Sequence, residues 1–478
     1  VASRRVAAEK KNNPVAPATP ALRPIQQSWD LPGHASVREK PPTAIGADEL
    51  RSMQAVLAAG VAASGTDGGD PLYATIGLDF GTSCSKVVVR FPYEAGSPAI
   101  AIPAPDYCRS GGDPYLWQTV VWVRGDGEFL PWPENGAKAL HSLKQGLVAG
   151  RPNEIVAPLG GGRGATRLDA ATAYLACVIR YVRGWLVSNR PDLVRGRSLS
   201  WFVNVGLPAA NFNKRDLVVR YRAVCATALM LASGEEPMTV ESVRACATQP
   251  EVSKAASSVD DGIALGVSVF PEVAAEVAGF MKSTVGASGL YLLVDVGAMT
   301  LDLCMFRFAQ RTAEADRYPL LEADVQHLGA DAYHWFVDQG RSHDDFVEAC
   351  WNATRKVVWT TKRTRDPNAT VWRVRNDLPV FLAGGGAQGE VHRQVVDRLA
   401  PWLRENLKND GTRILTPLAP DNLQLPLPGG DYSRLPVAWG LSLDPTEIGE
   451  IIPSSEIEDI LPARVRDYTG NFTSKDQM

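Results

Sequence analysis

The sequence lacks several of the marks that would settle its class at once. Its seven cysteines are scattered, with no CxxC and no cysteine–histidine pair at zinc-ligand spacing. That argues against the common zinc modules, and an odd, dispersed set is the pattern of free thiols in a reducing compartment. No apolar run reaches the roughly 18 residues that a membrane-spanning helix needs. The opening stretch, "VASRRVAAEKKNNP", has no apolar centre of the kind a secretory signal carries, so a cytoplasmic location is the expectation. Basic residues never run more than two together, and 49 of them stand against 53 acids, a formal net charge of −4. That balance suits neither an extended nucleic-acid groove nor an acidic membrane surface.

What is present is a long chain of 478 residues, 45% hydrophobic, enough to bury a large core. Residues 1 to about 45 hold seven prolines and few large apolar side chains, a composition that cannot offset chain entropy, so an extended arm is expected there. "GADELRSMQAVLAAGVAASG" predicts a helix over 47–64, packed on its own domain or serving as a docking element, and "GTDGGDP" a linker. The arm thus covers 1–72. From Tyr73 onward β-rich segments such as "ATIGLDF", "SWFVNVGLP", "YLLVDVG" and "LPVFLAGGG" alternate with helical patterns near 168–189, 213–233, 271–284, 330–362 and 389–408. Strands and crossover helices in alternation predict an α/β fold.

Two of these segments echo each other. "LDFGTSCSKVVV" at 78 and "VDVGAMTLDLCM" at 294 each run from an apolar strand through Asp-x-Gly and small residues into another strand. Asp79 and Asp295 lie 216 residues apart, the scale of a whole lobe, so the echo suggests two similar lobes facing each other. Gly81 permits close backbone approach, and Thr82 and Ser83 add hydroxyls beside the turn's N–H groups, a combination that binds anions. Asp79 is suited to holding a magnesium ion through its waters. Taken alone, the same residues also suit an ordinary surface hairpin. The second turn offers Asp295, Gly297, Thr300 and Asp302. A third loop, "VFLAGGGAQGEVHRQVV", enters from a strand and leaves as a helix. Gly384, Gly386 and Gly389 match GxGxxG, yet no strand ending in an acid follows, so the dinucleotide-fold reading is weak. "LGGGRGATR", 159–167, follows no clear strand and reads as a flexible loop.

These three loops, in this order, resemble the actin, sugar-kinase and heat-shock chaperone ATPase superfamily, and most of all the nucleotide-binding domain of the DnaK-type heat-shock chaperones. "IGLDFGTSCSKV" and "LLVDVGAMTLD" look like the two phosphate loops and "VFLAGGGAQ" like the adenosine loop. "ALHSLKQGLV", "VNVGLPAANFN", "FPEVAAEVAGF" and "LPVAWGLSL" are similar to smaller segments of that family, in the right order, over about 73–445. The resemblance implies a two-lobed actin-like ATPase fold, with duplicated ribonuclease H-like lobes and a central nucleotide cleft. Lobe I would span 73–287, joined by 436–460; lobe II would span 288–435; a tail of 461–478 would remain. It further implies ATP or ADP as ligand and Mg²⁺ held through Asp79 and Asp295. Thr82 and Ser83 would touch phosphate beside Gly81, Lys144 would orient the attacking water, and Thr300 beside Gly297 would meet the γ-phosphate. Gly384, Gly385 and Gly386 would carry the adenosine, with Lys362, Arg363 and Gln388 on the adenine side.

The chain also departs from that family. Ala298 and Met299 stand where the chaperones have two glycines, Gln388 where they often have an arginine, and Trp359 where they have a glutamate. The glutamate of the first connecting helix is displaced by one position, to Glu272. The 38 residues after Gly440 are too few for a peptide-binding β-domain and lid. The expectation is an ATP-binding core whose nucleotide-dependent closure regulates a protein partner, met through the arm or the tail. An actin-like filament subunit, a pseudo-ATPase scaffold and a small-molecule kinase are the alternatives.

Overall fold

The chain's computed structural model describes residues 44–64, 69–160, 163–282, 286–310 and 315–460. The expected arm before residue 44 and the tail 461–478 lie outside them.

Five strands form the core of the first sheet: β1 (Asp70–Asp79), β2 (Cys84–Arg90), β3 (Ala99–Ala101), β4 (Arg197–Leu207) and β5 (Val267–Pro271). Five more form the second: β6 (Gly289–Val296), β7 (Leu301–Phe308), β8 (Arg317–Gln326), β9 (Leu378–Ala383) and β10 (Thr412–Leu415). The orders are β5-β4-β1-β2-β3 and β10-β9-β6-β7-β8. In each sheet the first three strands in sequence pair antiparallel and the last two join parallel. The echo in the sequence is therefore one corner of a repeated sheet. The last six residues of β1 and six of the eight in β6 are buried, as central strands covered on both faces must be.

Each sheet also receives a short parallel strand from the C-terminal part of the chain. β11 (Leu423–Gln424) pairs with β3 in the first sheet, and β12 (Glu450–Ile452) pairs with β8 in the second. The segment 436–460, expected to join lobe I alone, is thus divided between the halves, because β12 finds its open edge on β8.

Helix α1 (Ala47–Ala62) packs on α3 (Arg167–Asn189), and the Trp201 indole N–H holds the carbonyl of Ala63 at 2.7 Å. Of the two readings of this helix, packing on its own domain is the one observed. Between α1 and α3 in sequence lies the short helix α2 (Leu143–Val148). The first half is completed by α4 (Arg215–Ser233) and α5 (Glu272–Met281). In the second half the long helical pattern 330–362 resolves into α6 (Ala330–Asp338) and α7 (His343–Thr360), broken at Gly340, whose φ is +74°, and restarted by the Ser342 side chain accepting from Asp345 N–H. The loop expected over 159–167 instead borders a hairpin: 155–158 pairs antiparallel with 164–166, and Thr166 caps α3. After β9 comes α8 (Glu390–Leu407), and the short helix α9 (Pro436–Leu441) follows β11.

Helices α5 and α9 cross between the two sheets. A methyl group on Gly440 would lie 1.8 Å from the Ala275 carbonyl oxygen, so only glycine lets the backbones meet there. Around this crossing Val273, Val277 and Phe280 of α5 share one apolar cluster with Phe306 and Phe381 of the second sheet and Val88 of the first. Phe381 is fully buried against Phe280, Tyr291 and Phe306, and its loss to alanine is worth about 3–5 kcal/mol. Arg90 of β2 reaches the same place, donating to the Ser442 hydroxyl at 3.2 Å and lying 4.5 Å over the Trp439 ring.

Candidate functional site

The two sheets point their hairpin turns at one cleft that is open to solvent. The turn between β1 and β2 is fastened from behind. Thr119 donates through its hydroxyl to the Gly81 carbonyl and through its N–H to that of Ser83, each at 2.9 Å. The turn between β6 and β7 is fastened to the start of α6. There the carbonyls of Met299, Gly297 and Ala298 accept from the N–H groups of Gly329, Ala330 and Asp331 at 3.1, 3.0 and 2.7 Å. A trans peptide sends its N–H opposite to its carbonyl, so turning carbonyls away from a cleft turns the following amides toward it. The N–H groups of Thr82, Ser83, Ala298, Met299 and Thr300 find no hydrogen-bond partner among the described residues. Two such nests lining one cleft make an anion site for a ligand with several charged groups.

Behind the nests the floor is acidic. Asp79, Glu272, Glu276, Asp295 and Asp302 all line the cleft, with Lys86 and Lys144 among them. Lys86 donates to Asp79 at 2.8 Å. Lys144 is 7% exposed and donates to Glu272 at 2.6 Å, which removes it from the ordinary fate of a solvated helix lysine. Burial works to lower the Lys144 ammonium, but Glu272 and Asp79 outweigh it and leave it raised, hence charged. On the acid side burial and crowding act together. Asp295 is pushed up to about 7, by burial first and then by Glu272 and Asp79. Asp302 rises well above the carboxylate range through burial, Asp295 and Glu272, although the Thr300 hydroxyl donates to it at 2.9 Å. Glu276 does so through burial and the charges of Asp295, Asp79 and Glu272.

One oxygen each from Glu272, Asp295 and Asp302 lies within 4.8 Å of the others. Asp302 Oδ1 has no partner among the described residues. An all-carboxylate set with a spare oxygen fits a hard divalent cation such as Mg²⁺. Of the two expected magnesium residues, Asp295 belongs to this group, while Asp79 is taken by Lys86 on the same cleft.

The third loop supplies room. Gly384 has φ +82°, and a Cβ there would fall 2.0 Å from Asp295 Oδ1. Gly385 faces Arg434, whose guanidinium lies 2.0 Å from where its Cβ would be. Arg434 lines the cleft and makes no ion pair among the described residues.

Ten of the expected residues meet here: Asp79, Gly81, Thr82, Ser83, Lys144, Asp295, Gly297, Thr300, Gly384 and Gly385. Gly386 stands behind them against Val296 and Ala330, and Gln388 does not line the cleft. Lys362 and Arg363 do not line it either. They fall in a π-helical turn, Thr361–Arg365, where Lys362 donates to the Pro367 carbonyl at 2.7 Å and Arg363 is exposed. Lys86, Glu276 and Arg434 escaped the sequence reading. Lys86 was within reach, because it stands seven residues after Asp79 as Asp302 stands seven after Asp295. Glu272, displaced in the sequence comparison, is the residue that pairs with Lys144.

No protein-family model and no curated protein matches the chain.

Proposed function

We propose that the chain binds ATP with Mg²⁺ in this cleft and hydrolyses it, and that closure of its two halves around the nucleotide regulates a protein partner. The observation that carries this reading is the pair of nests, five unpartnered amides on two turns above an acidic floor. A polyphosphate with its cation suits both layers: amides for the phosphate oxygens, carboxylates for the metal. The repeated strand order supports the finer fold reading, an actin-like pair of ribonuclease H-like lobes with the nucleotide between them. Phosphoryl transfer asks a protein chiefly for position and charge stabilisation, so few side chains suffice. Bound Mg²⁺ supplies charge neutralisation at the phosphates, and Asp295 with Glu272 and Asp302 would hold it. Thr82, Ser83 and Thr300 offer hydroxyls to phosphate oxygens. Lys144, kept charged and aimed by Glu272, orients the attacking water. Gly384 and Gly385 let the backbone lie flat against the nucleoside, with Arg434 as the cation on that side. Closure is the output expected of a ligand that contacts both halves and so favours the conformation in which they approach.

Thermal melting with and without Mg-ATP tests the reading. A ligand in hundredfold excess over its dissociation constant stabilises the native state by about 2.7 kcal/mol, a rise of several degrees for a chain of this size. No rise at millimolar Mg-ATP would overturn nucleotide binding. Phosphate release, measured on the same samples, decides between turnover and binding alone.

A further inference from the structure

Three polar groups at the crossing of α5 and α9 are gathered together and leave their hydrogen bonds unmade. Glu276 on α5 is 3% exposed and Arg90 on β2 is 2% exposed. Neither Glu276 Oε2 nor Arg90 Nη2 has a hydrogen-bond partner among the described residues, and the buried hydroxyl of Tyr432 has none either. That hydroxyl is pressed against α5: a Cβ on Gly279 would lie 3.3 Å from it, and Gly279 stands three residues after Glu276, on the same side of the helix. Burial and then the Glu276 carboxyl push the Tyr432 hydroxyl up, while the Arg90 guanidinium pulls it down, so both charges reach it. An acceptor, a donor and a hydroxyl that can be either thus meet without a bond among them, a state that is rare and costly in a buried place. Tyr432 opens a short 3₁₀ turn, Tyr432–Arg434, whose other residues, Ser433 and Arg434, line the cleft. The Asp431 carboxylate stiffens this turn by accepting from the Ser433 N–H at 2.9 Å. Arg434 lies against Gly385 of the second half, and α9 begins two residues later at Pro436.

We infer that Tyr432 is a positioning residue that latches the closed form: as the halves approach around nucleotide, its hydroxyl donates to Glu276 Oε2 and accepts from Arg90 Nη2. Bonds left unmade at short range are what a second arrangement of the same elements can complete. The pivot is the backbone contact between Gly440 of α9 and Ala275 of α5, where the helices already touch and can turn but not come closer. A ligand that engages Arg434 moves one end of the stiff turn, and Tyr432 at the other end moves with it. Both latch bonds involve a charged partner, which places them among the stronger hydrogen bonds a protein makes. The inference rests on the nucleotide reading and deepens it, by naming the contact that converts binding into closure.

The experiment compares the full chain with its Tyr432→Phe variant by thermal melting and by small-angle X-ray scattering, each with and without Mg-ATP. The substitution removes only the hydroxyl. Without nucleotide the variant should melt no lower than wild type, because the lost group had no partner. With Mg-ATP the wild type should contract, whereas the variant should bind about tenfold more weakly, read from the ATP dependence of melting, and stay extended at saturation. That loss of affinity should shrink in a Glu276→Gln background, as it does for groups that act on each other. A ligand-free variant melting several degrees below wild type, an equal contraction of both chains, or an undiminished loss beside Glu276→Gln would each overturn the latch. If Mg-ATP changes neither the melting nor the scattering of wild type, the nucleotide reading falls and the latch with it. If wild type responds and Tyr432→Phe responds equally, the latch alone falls.

Discussion

The two hairpins that face each other across the cleft have one length and one register, and they carry opposite electrostatics. In the first, Asp79 lies directly across the ladder from Lys86; in the second, Asp295 lies directly across from Asp302. An acid opposite a base is a stabilising cross-strand pair, and two acids opposite each other are a destabilising one. The first hairpin thus arrives neutralised, with its charge satisfied internally. The second arrives in debt to something outside the chain. One backbone motif, used twice, thus carries an acid–base pair on one wall of the cleft and an acid–acid pair on the other. The difference comes down to one side chain on each exit strand.

The largest effect should come from unbalancing the first hairpin. Lys86→Met leaves Asp79, whose side chain is 9% exposed, without its cation and is expected to cost about 3 kcal/mol in urea unfolding. Adding Asp79→Asn should recover much of that loss, and a double variant no better than the single would show that the pair is not the cause. The second hairpin should respond to pH instead. Asp295 sits at about 7 in the folded, metal-free chain and at about 3.9 in an unfolded one. Between those values the folded state holds the extra proton, so stability is full at low pH and declines as pH rises through 7. From pH 6 to pH 8 the metal-free chain should lose about 1 kcal/mol, and saturating Mg²⁺ should flatten the slope. Equal stability at the two pH values in EDTA would count against a strained acidic pair. The smallest effect should be Asp302→Asn: burial, Asp295 and Glu272 hold the Asp302 carboxyl well above the carboxylate range, so near neutral pH the variant exchanges one neutral group for another. A change of no more than about 0.5 kcal/mol in EDTA is expected. A clearly larger gain would mean that the carboxyl is ionised in the folded chain and repels Asp295.

Much of this layout was legible from residues alone, and the exceptions have physical causes. Strands such as β1 and β6 announce themselves as continuous apolar runs, and α8 as a helical stripe, because burial imposes a period on many residues at once. The Asp-x-Gly echo is legible for the same reason, being a turn held between two long strands. By contrast β11 and β12 are two and three residues long and carry no period, so their crossing between sheets left no trace in the pattern. Glu276, four residues after Glu272, reads as the ordinary solvated face of a helix until the second sheet covers it. Lys362 and Arg363 mislead because the last turn of α7 widens into a π-helix, which changes the direction of side chains that a regular helix would have presented elsewhere.

The crossing of β11 and β12 bears on how this protein can be divided or recombined. Its two sheets repeat one strand order, and repeated units are often exchangeable. Here the chain leaves the second sheet after β10, lends a strand to the first, passes α9 between them and comes back to finish on β8. No single cut separates the two sheets: any break that frees one half removes a strand from the other. The unit of inheritance for this molecule is the laced pair, and a shuffled or truncated gene would have to carry both ends of the lace.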